Sequence, residues 1–274
     1  MKENNIMPLQ PYQMMTAKDM KIMKENYKGI SHFYQNSFIE SSEEINAVPD
    51  GCIDLVFSFD DNKVNTSIGG TVLKAKPWIF EHKKECFGVR FTPGNNILPN
   101  PLSVDMLVNK DIEIDGDIFG ENLEEKLMEA GSLEERAHIF IGAYDELLMK
   151  YKQDDMKKGI ERYVRKRIIN TSGMVSIQDI MAETGYSEAY IRRIFKQYNG
   201  ISPKQFAKFV RFQTLLREIK SDSSIEKLAM ECNYYDESHM IKEFKNYAGM
   251  TVDKYMKTVI PKIVRKRENY EWIK

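Results

Sequence analysis

Residues 185–206 read GYSEAYIRRIFKQYNGISPKQF, and residues 233–255 read NYYDESHMIKEFKNYAGMTVDKY. The second stretch is a looser copy of the first. Each opens with a turn residue and an aromatic, runs to a Phe-Lys pair, stops at a Gly and restarts behind a Ser or Thr. A short amphipathic segment leads into each, SIQDIMAET at 176–184 and SIEKLAMEC at 224–232. The leading serines lie 48 residues apart and the Phe-Lys pairs 49 apart, so one residue has been inserted at the second turn. An internal repeat of this kind decides the architecture. The unit is helix, tight turn, helix, and it occurs twice.

Ser176 is placed to cap the first helix, its hydroxyl accepting from an orphan amide of the first turn. Ile177, Ile180 and Met181 then fall on one apolar face. Gly185 stops that helix, because a left-handed residue costs least without a Cβ. Ser187 caps the next helix. Ile191, Ile194, Phe195 and Tyr198 share its apolar face, which leaves Arg192, Arg193 and Lys196 on or beside the other. Gly200 ends it, and Ser202-Pro203 starts a further helix with Pro at its first position. Two helices across a short Gly turn, the second with a cationic outer face, make the shape that enters a DNA major groove.

The pattern resembles the C-terminal DNA-binding domain of AraC-type (AraC/XylS) transcription regulators, in which a long helix joins two helix-turn-helix units. The resemblance covers about residues 155–259. It rests on Ile180, Gly185-Tyr186-Ser187, Tyr190, Phe195-Lys196, Gly200, Ser202-Pro203, Arg211, Leu215-Leu216, Ile225, Leu228-Ala229, Phe244-Lys245, Gly249 and Tyr255. In the second copy Asn233 stands where the family has Gly, and Val252 where it has Pro. Asn tolerates left-handed dihedrals, so the turn is expected to survive.

The resemblance implies double-stranded DNA as partner, with a base-reading face on Ala189, Arg192 and Arg193. Ser187, Tyr190 and Lys196 complete the first contact surface. In the second unit the matching positions are Glu237, Ser238, His239, Ile241, Lys242 and Lys245. Arg192 and Arg193 suit guanine O6 and N7, but adjacent positions point about 100° apart, so only one is expected to reach a base. Asp236 reads as an N-cap. Lys196, Lys204, Lys208 and Lys245 are expected to hold phosphates.

Charge agrees with this division. Residues 1–150 carry 15 Lys+Arg against 25 Asp+Glu, and residues 151–274 carry 25 against 16, so a net charge of −1 splits into −10 and +9. A basic half beside an acidic half points to one polyanion-binding domain. The 274 residues fit two domains, divided here at 150/151. At 42% hydrophobic the chain can fill two cores. No membrane span and no export signal are legible, and three cysteines, Cys52, Cys86 and Cys232, lack paired spacing. The expectation is a cytoplasmic chain with reduced thiols.

The first half reads as a small β-barrel or sheet followed by helices, an α+β domain ahead of an all-α one. After an irregular start, Thr16 to Tyr27 reads as a helix and His32 to Ile39 as a strand. Pro49-Asp50-Gly51 is a turn signal. From Cys52 to Phe59, Ile53, Leu55, Phe57 and Phe59 alternate with Cys52, Asp54, Val56 and Ser58, the pattern of a half-buried strand. Val64 to Leu73 bends at Gly69-Gly70, and Trp78–Glu81 and Glu85–Thr92 are further strands. After Pro101 the period is helical, with one stripe at Leu123, Leu127 and Met128 and another at Ile139, Tyr144, Leu147 and Leu148, parted at Gly131-Ser132. PDGCIDLVF, GVRFTPG and the following VDMLVNKDIEIDGDIFG segment resemble the N-terminal domain of a subgroup of AraC-type regulators, over about residues 30–148. The resemblance implies a half that, in the wider family, often senses a small molecule or mediates dimerisation.

No catalytic set is legible. The four histidines, His32, His82, His138 and His239, sit in no nucleophile or zincin motif. Glu81, His82, Glu85 and Cys86 lie too close together to converge on a metal, and no cofactor is expected. Asp54 and Arg90 lie on the less apolar face of central strands. They read first as a mutual ion pair and second, with Trp78, as the lining of a polar effector pocket. A small-molecule effector and RNA polymerase are therefore further candidate partners. A catalytic or partner-docking N-terminal domain, localised by the DNA-binding half, is the competing reading. The basic tail, with Lys262, Arg265, Lys266 and Arg267, reads first as a solvated helix end and second as a phosphate contact.

Overall fold

The computed structural model describes residues 9–16, 18–37, 45–60, 63–78, 85–95, 98–150, 155–267 and 271–273. The chain runs α1 (Pro11–Thr16), β1 (Lys18–Tyr27), β2 (Ile30–Ser37), β3 (Ile45–Ala47), β4 (Ile53–Asp60), β5 (Lys63–Gly69), β6 (Lys76–Trp78) and β7 (Glu85–Phe91). There follow α2 (Val104–Leu107), β8 (Asp111–Ile114), α3 (Leu123–Glu129) and α4 (Leu133–Lys150). The remainder is helical: α5 (Asp155–Asn170), α6 (Ile177–Thr184), α7 (Glu188–Asn199), α8 (Pro203–Glu218), α9 (Ile225–Glu231), α10 (Glu237–Ala248), α11 (Val252–Thr258) and α12 (Ile260–Arg267). A last strand, β9 (Glu271–Ile273), closes the described chain.

Seven strands form one sheet in the order β8-β5-β4-β7-β2-β1-β9, and β3 pairs with β6 beside it. Neighbours are antiparallel except β1 and β9. One face of the sheet is apolar. Ile53, Leu55 and Phe57 of β4, Phe87, Val89 and Phe91 of β7 and Phe33 of β2 pack there against Leu123, Leu127, Leu133, Ala137, Phe140 and Tyr144 of α3 and α4. Phe140 is the hub. Its ring lies 6.1 Å from Phe33, 6.3 Å from Phe57 and 5.8 Å from Tyr144, edge-on to the first two. These are attractive aromatic geometries.

The other face is also covered. Met14, Met20, Ile22, Tyr34, Val56 and Cys86 form a smaller core there. β4 is therefore buried on both faces, where its alternation predicts burial on one. The polar residues of the second face come together by register. Asp54 pairs with Arg90 across β4–β7, and Arg90 with His32 across β7–β2. The Tyr34 ring lies directly over Gly88, where a Cβ has no room.

Three segments depart from the sequence expectations. Thr16–Tyr27 is not a helix: Lys18–Tyr27 is strand β1. Its Met and Lys residues are good helix formers, but Met20 and Ile22 alternate onto the buried face, and pairing with β2 overrides propensity. Asp111–Ile114, expected within a helical segment, is strand β8, with Ile112 and Ile114 at period two and paired to β5. The basic tail is helix only to Arg267. Beyond it Glu271–Ile273 returns to the N-terminal sheet beside β1. The expected strand at Trp78–Glu81 is seen to Trp78, and its remainder, with His82, lies outside the described residues, as do Phe38 and Ile39.

The helical half is capped as its sequence indicates. Ser176 and Asp179 form a reciprocal capping box, and Ser187, Ser202, Ser224, Asp236 and Thr251 each accept from a first-turn amide. Gly185, Gly200 and Gly249 end helices at φ of 73°, 71° and 73°, and Asn233 takes the same region at 58°. A single core joins both units to α8, through Phe195 against Phe206 at 5.5 Å and Phe212 against Phe244 at 5.8 Å. That core recruits Tyr12 and Val48 from the first half.

Truncating the aromatic hub, Phe140→Ala, is expected to cost about 3–5 kcal/mol, measured by urea unfolding followed by circular dichroism. A second expectation concerns acid. His32 is buried, and desolvation, then the charges of Arg90 and Lys24, lowers its pKa to about 3 from 6.5. Between those values the unfolded chain binds a proton that the folded chain does not, so stability falls as pH drops below 6.5. The slope from this group approaches about 1.4 kcal/mol per pH unit. His32→Gln should flatten the stability profile between about pH 6 and 4.5 by that amount.

Candidate nucleic-acid interface

α7 buries Ile191, Ile194 and Phe195 and leaves Ala189, Arg192, Arg193 and Lys196 exposed. Ser187 caps it, accepting from the Tyr190 amide at 3.3 Å. Tyr190 is half-buried and stacks on Tyr186 with centroids 5.1 Å apart. The two arginines part company. Arg193 lies over the Tyr190 ring at 5.2 Å, whereas Arg192 turns to Glu188, with Nε 3.1 Å from its carboxylate. The Arg192 pair is solvent-exposed and contributes little, so it leaves that guanidinium available. Sequence reasoning missed Glu188, although its four-residue spacing from Arg192 is the signal.

α10 repeats the arrangement with different chemistry. Met240, Phe244, Tyr247 and Ala248 are buried, and Glu237, Ser238, His239, Ile241, Lys242 and Lys245 are exposed. Asp236 caps the helix, accepting from the His239 amide at 2.7 Å. Just ahead of it Tyr235 is 92% exposed. Glu243 is buried, with Arg211 Nε at 3.6 Å and His239 Nε2 at 3.9 Å, and Arg211 also lies over the Tyr234 ring at 4.9 Å. Arg211 thereby ties α8 to α10. Nothing in the spacing of Arg211 and Glu243, 32 residues apart, announces that contact.

The expected effector residues are brought together in part. Arg90 Nη1 donates to Asp54 Oδ2 at 2.6 Å, both side chains largely buried. Its other amino group donates to Asp50, which sequence reasoning assigned only to a turn. Asp50 is held in turn by Gln10 Nε2 at 2.7 Å and by the Cys52 amide at 2.9 Å. A cavity of about 40 Å³ adjoins Asp50, Asp54, Ser67 and Asp111, room for water and little more. Trp78 ends β6, and its side chain lies outside the described ones. The other residues considered as ligands are engaged elsewhere: Glu85 accepts from Arg136 at 2.7 Å, and the Cys86 thiol donates to Asn36 at 2.7 Å. Among the described residues no helix is long and apolar enough to cross a membrane.

Residues 163–258 match a family model described as a helix-turn-helix domain. Two curated relatives align with the chain. The HTH-type transcriptional regulator YidL of Escherichia coli is 29% identical over 99 residues, 36% of this chain and 33% of that protein. An HTH-type transcriptional regulator of Haemophilus influenzae is 39% identical over 74 residues, 27% of this chain and 25% of that protein. The match thus spans a third or less of these relatives' lengths. Among solved structures, ToxT of Vibrio cholerae superposes over 83% of this chain and 97% of its own, at 12% identity and a TM-score of 0.42. The C-terminal domain of AraT of Geobacillus stearothermophilus covers 36% of this chain and 84% of its own, at 22% identity and a TM-score of 0.34. Scores this low carry no argument about ligand or mechanism. The family match and the two capped, repeated units on α6–α7 and α9–α10 agree: residues 163–258 are similar to the helix-turn-helix domain family, and this chain carries two such units in tandem behind its N-terminal sheet.

Proposed function

We propose that the protein is a sequence-specific DNA-binding transcription regulator that inserts α7 and α10 into the major groove. The observation that carries this reading is the shared core of α8. It holds two N-capped helices with exposed polar faces in one fixed relation. Recognition helices so joined address major-groove faces about one helical turn apart. Arg193, raised on the Tyr190 ring, is the base reader of the first unit, and a guanine O6/N7 contact supplies about 1–3 kcal/mol of discrimination. Lys196, Lys242 and Lys245 hold phosphates. Glu237 sits in the first turn of α10, where it favours the helix dipole but repels backbone phosphate. The first unit therefore carries most of the specificity.

The N-terminal domain modulates this activity by binding a small polar effector on the second face of its sheet, at Arg90, where the cavity of about 40 Å³ beside Asp50 and Asp54 must widen to admit it. Arg90 Nε, buried on that face, has no hydrogen-bond partner among the described residues. Buried polar groups left so are costly, and a ligand with matching groups would satisfy them. Contact with RNA polymerase belongs to the same proposal.

Binding selection on randomised duplexes tests the assignment. Arg193→Ala should relax preference at one base position, whereas Lys242→Ala should weaken all sequences alike; information concentrated under the second unit would overturn it. For the N-terminal face, Arg90→Ala leaves Asp50 and Asp54 buried without their cation and is expected to cost about 3–5 kcal/mol in a urea melt. A variant that melts and regulates like the parent would refute both the structural and the ligand-binding roles of Arg90.

A further inference from the structure

A cleft of about 410 Å³ opens beside the first recognition helix. Its walls are the start of α6 at Ser176–Gln178, the flank of α7 with Glu188 and Arg192, and the face of α8 with Lys204, Lys208 and Arg211. The three α8 cations stand at i, i+4 and i+7, one stripe along about 10 Å of helix axis. At its far end Arg211 reaches Glu243 of α10, so the stripe runs from one recognition helix to the other. Four cations thus line the cleft against one carboxylate, that of Glu188. Arg211 is committed to Glu243 and Arg192 loosely to Glu188. Lys204 and Lys208 have no acidic partner among the described residues. A concave wall lined by one sign of charge focuses its field and concentrates counter-ions.

We propose that this cleft is a phosphate cradle for the DNA strand that passes between the two major-groove insertions. Lys204 and Lys208 grip backbone phosphates, and Arg192 exchanges its weak pair with Glu188 for another. This assigns different tasks to the adjacent arginines of α7: Arg192 faces the cleft and the backbone, and Arg193, on the Tyr190 side, faces the bases. The inference rests on the DNA-binding reading above and adds which cations hold the backbone. Arg211 serves as the strut between α8 and α10, outside the count of phosphate contacts.

The test is the salt dependence of binding by the full chain to a duplex of about 30 base pairs recovered from the selection, three helical turns. Each phosphate contact contributes about 0.9 to the slope of log K against log salt concentration. The double variant Lys204→Gln/Lys208→Gln should lower that slope by about 1.8, and Arg192→Gln by about 0.9, with base preference unchanged in both. Lys208→Arg should keep the parental slope. Lys126→Gln, an exposed cation of the N-terminal domain, is the matched control and should also keep it. A parental slope in the double variant, or a changed base preference in Arg192→Gln, overturns the cradle while leaving DNA binding intact. A parent chain whose binding ignores salt overturns the DNA-binding reading and the cradle with it.

Discussion

One buried guanidinium holds the two halves of this molecule in register. Arg90 sits on the covered second face of the sheet, bonded to Asp54 on the neighbouring strand and to Asp50 in the turn before it. Desolvating three charges is costly, and the arrangement persists because each finds a partner. Asp50 then fixes its surroundings. Through Gln10 it anchors the segment before α1, and the adjacent Pro49 carbonyl accepts from Gln213 of α8 at 3.0 Å. Gly51 lies against the Phe206 ring. The turn that closes over Arg90 is the surface on which the connecting helix rests.

The far end of β7 makes a second junction. Past Phe91 the chain turns at Pro93-Gly94-Asn95, and Gly94 packs against Glu161 of α5, a fully buried carboxylate. Glu161 accepts from Arg165 at 2.8 Å and from Asn199, the last residue of α7, at 3.1 Å, while Arg165 donates to Asn95 at 2.9 Å. The strand that carries Arg90 thus meets the helical half on both sides, through the turn that Arg90 holds and through its own exit loop. Tyr12 adds a third tie, donating to the Ala248 carbonyl at the end of α10.

The helical half was legible because its signals are local. Caps, left-handed stops and an apolar face at helical period each involve residues within a turn or two of one another, and Ser176, Gly185, Ser187, Gly200 and Ser202 suffice to draw it. The sheet domain was legible where alternation was strict, as in β4 and β7. It misled where composition and period disagreed, as in β1, whose Lys and Met residues favour a helix while Met20 and Ile22 keep strand spacing. Burial of β4 on its polar side could not be read either, since it depends on what α1 and the neighbouring strands bring over it. The site followed the same rule. The exposed residues of α7 and α10 come from periodicity. Asp50 as partner of Arg90, Glu243 as partner of Arg211, and the return of Glu271–Ile273 to β1 depend on contacts between distant parts of the chain, and no spacing encodes them.

Helices α7 and α10 both end against the N-terminal half. Gly200, closing α7, faces Val104 and Val108 around α2. Gly249, closing α10, abuts Ala75, whose amide donates to the Asn246 carbonyl at 3.3 Å. The opposite ends of the two helices are therefore like the tips of a caliper whose jaws are seated against the sheet-bearing half. With α7 and α10 in the grooves as proposed, a shift of α2 relative to the β5–β6 connection would become a change in gap and phase between two tips. On the proposed function, what the first half would set is a length along the double helix, the preferred spacing between half-sites.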